Sequence, residues 1–147
     1  MFRPLGRVVS RRVLVCGGRT FGIVRDPSSE HDVVRAQRQR VLLHRVLDYH
    51  HSRSPFEVVI DGAATGADTI AHQWAMQHDV HSRRFLADWQ RYGRRAGAIR
   101  NKQMLDEGHP DLVIAFPGGP GTAMMVELAQ ARGIRVIEVG EDESDAS

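Results

Sequence analysis

Residues 112–122 read LVIAFPGGPGT, an apolar strand that runs directly into a glycine-rich turn and then into a helix. The same order occurs in VLVCGG at residues 13–18 and in VVIDGAATGAD at residues 58–68. In a parallel sheet, such turns all emerge at the carboxyl edge, where backbone N–H groups and helix N-termini bind anions. The three stretches therefore predict a phosphate-bearing ligand at one edge of a parallel sheet.

Strand and helix patterns alternate along the rest of the chain, which favours a parallel sheet covered by helices on both faces. We expect strands over residues 12–16, 56–60, 82–86, 111–116 and 135–139. We expect helices over residues 29–50, 66–77, 96–107 and 121–131, the first capped by Ser29 with Asp32 in a capping-box position. The predicted fold is a three-layer, Rossmann-like α/β domain with a five-stranded, mainly parallel sheet.

The composition is that of one globular domain: 147 residues, 41% hydrophobic and 26% charged. No apolar run approaches the roughly 20 residues that a membrane span needs, and the basic start lacks the apolar core of a secretory signal. A lone cysteine, Cys16, suits a reducing compartment. We expect a cytoplasmic protein without membrane contact, with one domain over residues 1–140 and an acidic, disordered tail at 141–147.

Charge is unevenly distributed along the chain. The last seven residues, EDESDAS, hold four acidic side chains, and without them the net charge of +2 becomes +6 for the preceding residues. Lys102 is the only lysine among 20 basic residues, so nearly all of the positive charge is arginine. Guanidinium groups suit phosphate and carboxylate partners, although a genome rich in G and C would also yield arginine. The preceding residues therefore favour an anionic partner.

The glycine-rich turns match neither of two common nucleotide motifs. G-x-G-x-x-G placed in the dinucleotide manner and G-x-x-x-x-G-K-[ST] are both absent, which disfavours ordinary NAD binding and Walker-type ATP hydrolysis. No cofactor is expected. The eight histidines lack the spacing of metal ligands, so no metal site is expected, and Cys16 is interpreted as a small core residue.

Five motifs in order carry a family resemblance: VLVCGGR, DGAATGAD, ADW at residues 87–89, AGAIRNKQM at residues 96–104 and DLVIAFPGGPGT. Over residues 12–139 the chain resembles the SLOG superfamily of Rossmann-like nucleotide-derivative binders, in its stand-alone branch related to YspA proteins of bacteria and phages. The resemblance implies kinship with Lonely-guy phosphoribohydrolases, with DNA-processing protein A and with domains that sense nucleotide signals. The implied partner is a small nucleotide derivative.

The resemblance also assigns residues to a site. Gly118, Gly119, Gly121 and Thr122, after Pro117, resemble the phosphate loop of the superfamily. Arg100 and Asn101 resemble a pair of which the arginine contacts ribose and phosphate in the phosphoribohydrolases, although Arg100 could also be a solvated helix charge. Gly17, Gly18 and Arg19 would form the opposing wall. Trp89 could stack on a base or fill the core. Gly62, Gly66 and Asp88 complete the predicted ligand-binding set.

One departure from the superfamily affects the predicted activity. The phosphoribohydrolases carry acidic residues two and three positions after the threonine of their phosphate loop, where this chain has Met124 and Met125. A retained phosphate loop without these acids favours binding, as a sensor or sequestering protein, over hydrolysis. Asp61 and Asp68 are the remaining candidates for a catalytic acid. Asp61 could instead bind a ribose hydroxyl or cap its loop, and Asp68 is more typical of a helix N-terminal charge.

Two further interpretations of the sequence stay open. The arginines Arg91, Arg94, Arg95 and Arg100 could guide a phosphate ligand or follow a single DNA strand. Few aromatic residues lie nearby, so nucleic acid ranks below a small nucleotide as the partner. Relatives of this kind often dimerise, so a homo-oligomer is expected, and Met124, Met125 and Leu128 could line either the core or an interface.

Overall fold

The computed structural model describes residues 10–141 and contains a five-stranded sheet in the order β3-β2-β1-β4-β5. Every pair of neighbouring strands is parallel. The strands are β1 (Arg11–Cys16), β2 (Phe56–Asp61), β3 (His81–Arg84), β4 (Leu112–Ala115) and β5 (Arg135–Glu138). The predicted α/β class and five-stranded parallel sheet are confirmed. The predicted tail at 141–147 lies outside the described residues except for Glu141.

Four longer helices and two short ones connect the strands. They are α1 (Glu30–Arg53), α2 (Ala67–Gln77), α3 (Trp89–Tyr92), α4 (Ala96–Gly108) and α5 (Pro120–Ala131), with a 3₁₀ turn at Gly93–Arg95. No helix within residues 10–141 is both long enough and apolar enough to cross a membrane.

The start of α1 agrees with the predicted cap only in part. The Ser29 hydroxyl accepts a hydrogen bond from the Asp32 N–H at 3.2 Å, as an N-cap does. The Asp32 carboxylate does not return to Ser29 but accepts the N–H groups of Arg25 and Asp26 at 2.6 and 2.9 Å. These two hydrogen bonds pull the pKa of Asp32 down to about 2. Asp32 therefore fastens the preceding loop to the helix.

The sheet separates two hydrophobic cores, which gives the predicted three layers. Side chains that alternate along the central strands point to opposite faces, so Val13 and Val15 pack with α1 and α2, whereas Leu14 and Cys16 pack with α4 and α5. Trp74 of α2 is fully buried in the first core. Because the central strand β4 is covered by helices on both faces of the sheet, all four of its residues, LVIA, are apolar and buried.

The segment after β3 differs from the prediction. β3 ends at Arg84 rather than at residue 86, and Leu86 is 80% exposed. A one-turn helix, α3, follows at Trp89, where the Asp88 carboxylate accepts the Arg91 N–H at 3.1 Å. A four-residue helix has no apolar period from which it could be predicted.

The strand order places a topological switch between β1 and β4. The chain leaves β1 toward β2 on one side and leaves β4 toward β5 on the other, so the loops after these neighbouring strands separate. In open parallel sheets the resulting crevice at the carboxyl ends is where ligands bind. Two of the three glycine-rich turns follow β1 and β4, and the third follows β2 directly beside them.

Candidate functional site

A cavity of about 590 Å³ occupies the crevice beyond β1 and β4. This volume lies within the range of small-ligand sites. Its walls come from the loops after these two strands, from the first turn of α2 and from the middle of α4. The predicted residues that line it are Gly17, Gly18, Arg19, Asp68, Arg100, Asn101, Pro117, Gly118, Gly119, Gly121 and Thr122. The predicted residues Gly62, Gly66, Asp88, Trp89 and Asp61 lie outside the lining.

Gly18 holds the three loops together through its backbone. Its N–H donates to the Pro117 carbonyl at 2.9 Å, and its carbonyl accepts the Ala67 N–H at 3.2 Å. A Cβ atom at Gly17 would lie 2.6 Å from the Ala67 Cβ atom, and one at Gly18 would lie 3.0 Å from the Pro117 oxygen. Since such contacts would force the loops apart, glycine at both positions allows the β1 loop to lie against its neighbours.

The N-terminus of α5 forms the open side of the cavity. Gly119 is the N-cap and provides no side chain, while Pro120 has no N–H, so the N–H groups of Gly121 and Thr122 in the first turn have no intrahelical acceptor. Nothing lies within 4 Å of the Cβ positions at Gly119 and Gly121, whereas a Cβ atom at Gly118 would collide with the Thr122 hydroxyl. This arrangement presents N–H groups, a hydroxyl and the positive end of a helix to an anion.

Arg100 and Asn101 of α4 connect this helix to the loops on both sides. The Arg100 guanidinium donates from Nη1 to the Gly62 carbonyl at 2.5 Å and from Nε to the Asn101 side-chain oxygen at 3.2 Å. Asn101, which is buried, donates in turn to the Gly121 carbonyl at 3.2 Å. Burial lowers the pKa of Arg100, while the charge of Asp68 raises it. The network fixes a cation beside the glycine-rich loop after β4.

Gly62 supports Arg100 without lining the cavity. A Cβ atom at Gly62 would lie 2.9 Å from the guanidinium carbon of Arg100, so only glycine leaves room for the arginine in this position. Gly66 has a positive φ of 80°, and a Cβ atom there would collide with the Gly18 carbonyl oxygen, so glycine at this position allows the close approach of α2 to the β1 loop. Both glycines therefore position residues that line the cavity.

Asp68 is a buried carboxyl group at the inner wall of the cavity. It is 6% exposed, and its Oδ2 atom accepts the N–H groups of Gly62 and Ala64 at 3.1 and 3.2 Å. Burial, and then the charge of Asp61, raise the pKa of Asp68 from 3.8 to about 6, against the opposing effect of the Ala64 N–H and of Arg100. Asp68 therefore changes its charge close to neutral pH.

Asp61 is fully buried and has its partners inside the protein. Its Oδ1 atom accepts the Ala63 N–H at 2.7 Å, and the Nε atom of Arg84 donates to its two oxygens at 2.9 and 3.2 Å. Burial raises the pKa of Asp61, although the N–H bond and the arginine oppose this shift. Of the two carboxylates proposed from the sequence, Asp68 is thus the one that lines the cavity.

Trp89 and Arg19 form part of the rim. The Arg19 guanidinium lies over the Trp89 ring, 5.3 Å from its centroid, and Trp89 is 48% exposed. Arg19 lines the cavity, and Trp89 stands behind it rather than in the core. Asp88, predicted for the site, caps α3. Arg91, Arg94 and Arg95 are exposed on the same segment.

The floor of the cavity is apolar and was largely missed by sequence reasoning. Cys16, Met104 and Met125 line it, and burial raises the pKa of the Cys16 thiol. Met104 lies three residues after Asn101, so helical spacing could have placed it on the same face. Phe21, Gln39 and Glu141 also line the cavity without any signal in the sequence, and Pro120 lines it from within the predicted glycine-rich turn. Met124 is 37% exposed and lies outside the lining. Glu127, the first acidic residue after Thr122, is also exposed and lies outside the lining.

No group of three or more His, Cys, Asp or Glu side chains within residues 10–141 is placed to hold a metal ion.

Comparisons with known proteins identify the family of this chain. A family model described as the YspA, cpYpsA-related SLOG family (YAcAr) matches residues 11–92, which contain the first two of the three strand-turn-helix units. The chain is also similar to the Gene 61 protein of Mycobacterium phage D29, with 36% identity over 139 residues, which cover 89% of this chain and 98% of the phage protein. No solved structure matches the chain significantly.

Proposed function

The chain belongs to the YspA, cpYpsA-related SLOG family, and from this premise we propose that it binds a phosphorylated nucleoside derivative in the cavity between β1 and β4. The phosphate occupies the N-terminus of α5, with Arg19 and Arg100 as its cations. The protein acts as a sensor or as a sequestering protein that leaves the ligand intact.

The uncapped N-terminus of α5 carries this proposal. Gly119 and Gly121 leave open space where a Cβ atom would stand, and Thr122 adds a hydroxyl beside the N–H groups. Helix N-termini of this kind bind phosphate because the N–H groups and the helix dipole both favour negative charge. The apolar floor of Cys16, Met104 and Met125 suits the uncharged part of a nucleoside.

The first experiment exposes the purified protein to mononucleotides, cyclic dinucleotides and ADP-ribose derivatives. Bound compounds are separated from free ones, released by heat and identified by mass spectrometry. Recovery of one intact nucleotide derivative supports the proposal and names the ligand. Failure of every compound to bind contradicts it.

Two variants then test the location of the site. Arg100→Ala removes the partly buried cation, and Gly119→Leu fills the open space at the helix N-terminus, so we expect each to weaken binding at least roughly tenfold. Arg132→Ala is the matched control, because Arg132 lies just after α5 and pairs with Asp106 outside the cavity. Unchanged affinity in both test variants would place the ligand elsewhere.

A second candidate function is hydrolysis of the bound nucleotide, and the position of Asp68 favours it. A carboxyl group with a pKa of about 6 at a cavity wall has the acidity of a general acid or base that works near neutral pH. Prolonged incubation should then release a free base or inorganic phosphate, and Asp68→Asn should abolish this release while Glu127→Gln should not. Complete recovery of intact substrate across the panel removes this candidate.

A further inference from the structure

The two oxygens of Asp68 have different environments. Oδ2 accepts both backbone N–H groups, from Gly62 and from Ala64. Oδ1 has no hydrogen-bond partner within residues 10–141, although the side chain is 6% exposed and lines the cavity. Asp68 Oδ1 is not among the fully buried side-chain atoms that lack a partner, so this oxygen is accessible from the cavity and can accept a hydrogen bond from a ligand there. Asp68 is therefore held by one oxygen and offers the other to the cavity.

The donor on the ligand must lie close to the phosphate. One residue, Gly18, joins the phosphate loop to the first turn of α2, since its N–H bonds Pro117 and its carbonyl bonds Ala67, the neighbour of Asp68. These two hydrogen bonds, with Gly18 between them, keep the Pro117 carbonyl oxygen within about 10 Å of the Ala67 nitrogen. In a nucleotide the group attached directly to the phosphate is the sugar, and its hydroxyls are donors that every ribonucleotide has.

The position at which Rossmann-like proteins usually bind ribose is not available here. That position is a carboxylate at the carboxyl end of the second strand. In this chain it is Asp61, which is fully buried with Arg84 on both of its oxygens and does not line the cavity. Asp68, seven residues later in the first turn of α2, is the buried carboxylate that the cavity reaches.

We propose that Asp68 Oδ1 accepts a hydrogen bond from the 2′- or the 3′-hydroxyl of a ribose, so that the cavity binds ribonucleotides more tightly than the deoxy counterparts that lack this hydroxyl. The inference rests on the proposed function, because it assumes that the phosphate lies at the N-terminus of α5. Arg100 fits the same assignment, since its positive charge near Asp68 favours the ionised carboxylate, which accepts hydroxyl donors most strongly.

Calorimetric titration of the wild-type protein tests the selectivity without any substitution. The probes are the common ribonucleoside 5′-monophosphates with their 2′-deoxy and 3′-deoxy counterparts, and ribose 5-phosphate with 2-deoxyribose 5-phosphate. Loss of one hydrogen bond to a charged acceptor should weaken binding of at least one deoxy series roughly 10- to 100-fold. Equal affinities for the ribo and both deoxy series would overturn the inference while leaving the proposed function intact. Absence of binding by every one of these probes would also overturn the inference, whereas the wider panel of the first experiment decides the proposed function.

Asp68→Asn, with Glu127→Gln as the control, identifies the residue responsible. The asparagine oxygen can still accept the N–H groups of Gly62 and Ala64, but its amide N–H₂ then faces the cavity and cannot accept from a hydroxyl. We expect the ratio of ribo to deoxy affinity to fall to about one in Asp68→Asn and to stay at the wild-type value in Glu127→Gln. A purely structural role would lower both affinities together and preserve the ratio, which would contradict the assignment.

Discussion

Asp61 and Asp68 lie seven residues apart, are both buried, and differ in their partners. Arg84 donates directly to Asp61, whereas Asp68 is held by two backbone N–H groups and has Arg100 only as a nearby charge. Burial of a carboxylate costs free energy, and a direct cation offsets part of that cost. Each carboxylate therefore leads to a separate prediction.

For Asp68 we predict that the wild-type protein is less stable at pH 7 than the Asp68→Asn variant. The native pKa of about 6 lies above the ordinary 3.8, so between these values the native state holds a proton that the unfolded state has lost. The free energy of unfolding of the wild type therefore falls as pH rises from about 4 to about 6, by roughly 2 kcal/mol. Urea unfolding measures the free energy of unfolding of both proteins at several pH values. The difference in favour of Asp68→Asn should grow as pH rises from about 4 to about 6 and should then stay nearly constant at higher pH. A constant difference at all pH values would contradict this.

For Asp61 we predict that Arg84→Ala lowers the free energy of unfolding by about 3 kcal/mol, because it leaves a buried carboxylate without its cation. Arg83→Ala is the matched control: Arg83 pairs with Glu107 at 3.8 Å, both side chains are more than 40% exposed, and its loss should cost less than about 1 kcal/mol. Adding Asp61→Asn to Arg84→Ala should recover part of the loss. Equal effects of the two arginine variants in urea unfolding would show that the buried pair contributes little.

At the scale of elements, the strand-turn-helix units could be predicted because each combines an apolar run with glycine and a helix start. The strands β1, β2 and β4 begin and end within a residue or two of their predicted limits. The partnership of Asp61 with Arg84 could not be predicted, since it depends on the register that places Asp61 opposite Arg84 between β2 and β3. The apolar floor escaped prediction for the same reason, because Cys16, Met104 and Met125 come from three different elements.

The glycine-rich loop after β4 leads to a prediction about two adjacent glycines. A methyl group at Gly118 would collide with the Thr122 hydroxyl and lie 2.7 Å from the Gly18 nitrogen, whereas one at Gly119 would meet nothing within 4 Å. Gly119 has a φ of −102°, which any residue adopts. We expect Gly118→Ala to cost about 1 to 3 kcal/mol of stability and to weaken nucleotide binding, because the β1 and β4 loops must separate.

Gly119→Ala is the control for this prediction and should leave stability within about 0.5 kcal/mol of the wild type. Thermal unfolding and nucleotide titration of the two variants give the comparison. If Gly118→Ala and Gly119→Ala lost stability and nucleotide affinity to a similar extent, the close contact between the β1 and β4 loops would not be what determines stability or binding.

At the scale of the whole molecule, the cavity receives residues from both sides of the sheet. Asp68 belongs to α2, which packs on one core, whereas Arg100 and Thr122 belong to α4 and α5, which pack on the other. If the helices on either face separated from the sheet, part of the site would therefore be lost. Ligand binding should consequently stabilise the entire domain rather than one loop.

We predict that a nucleotide at about a hundred times its Kd adds about 2.7 kcal/mol to the free energy of unfolding. For a domain of this size, the gain corresponds to a rise in Tm of roughly 5 to 10 °C. Thermal unfolding at several ligand concentrations measures it, with Arg100→Ala as the control that should respond only at higher concentrations. A saturating ligand that leaves Tm unchanged would indicate that it binds the unfolded chain equally well.

The two tryptophans of the chain lie in different environments, so one should report ligand binding and the other unfolding. Trp74 is fully buried and stacks on His78 with ring centroids 4.1 Å apart, whereas Trp89 is half exposed beneath the Arg19 guanidinium at the rim. Indole emission depends on polarity and on nearby charge. Displacement of Arg19 toward a phosphate should change the emission of Trp89 alone, and unfolding should move the emission of Trp74 to longer wavelength. Trp74→Phe and Trp89→Phe would assign the two signals, so the protein provides its own optical reporters for ligand capture and for loss of structure.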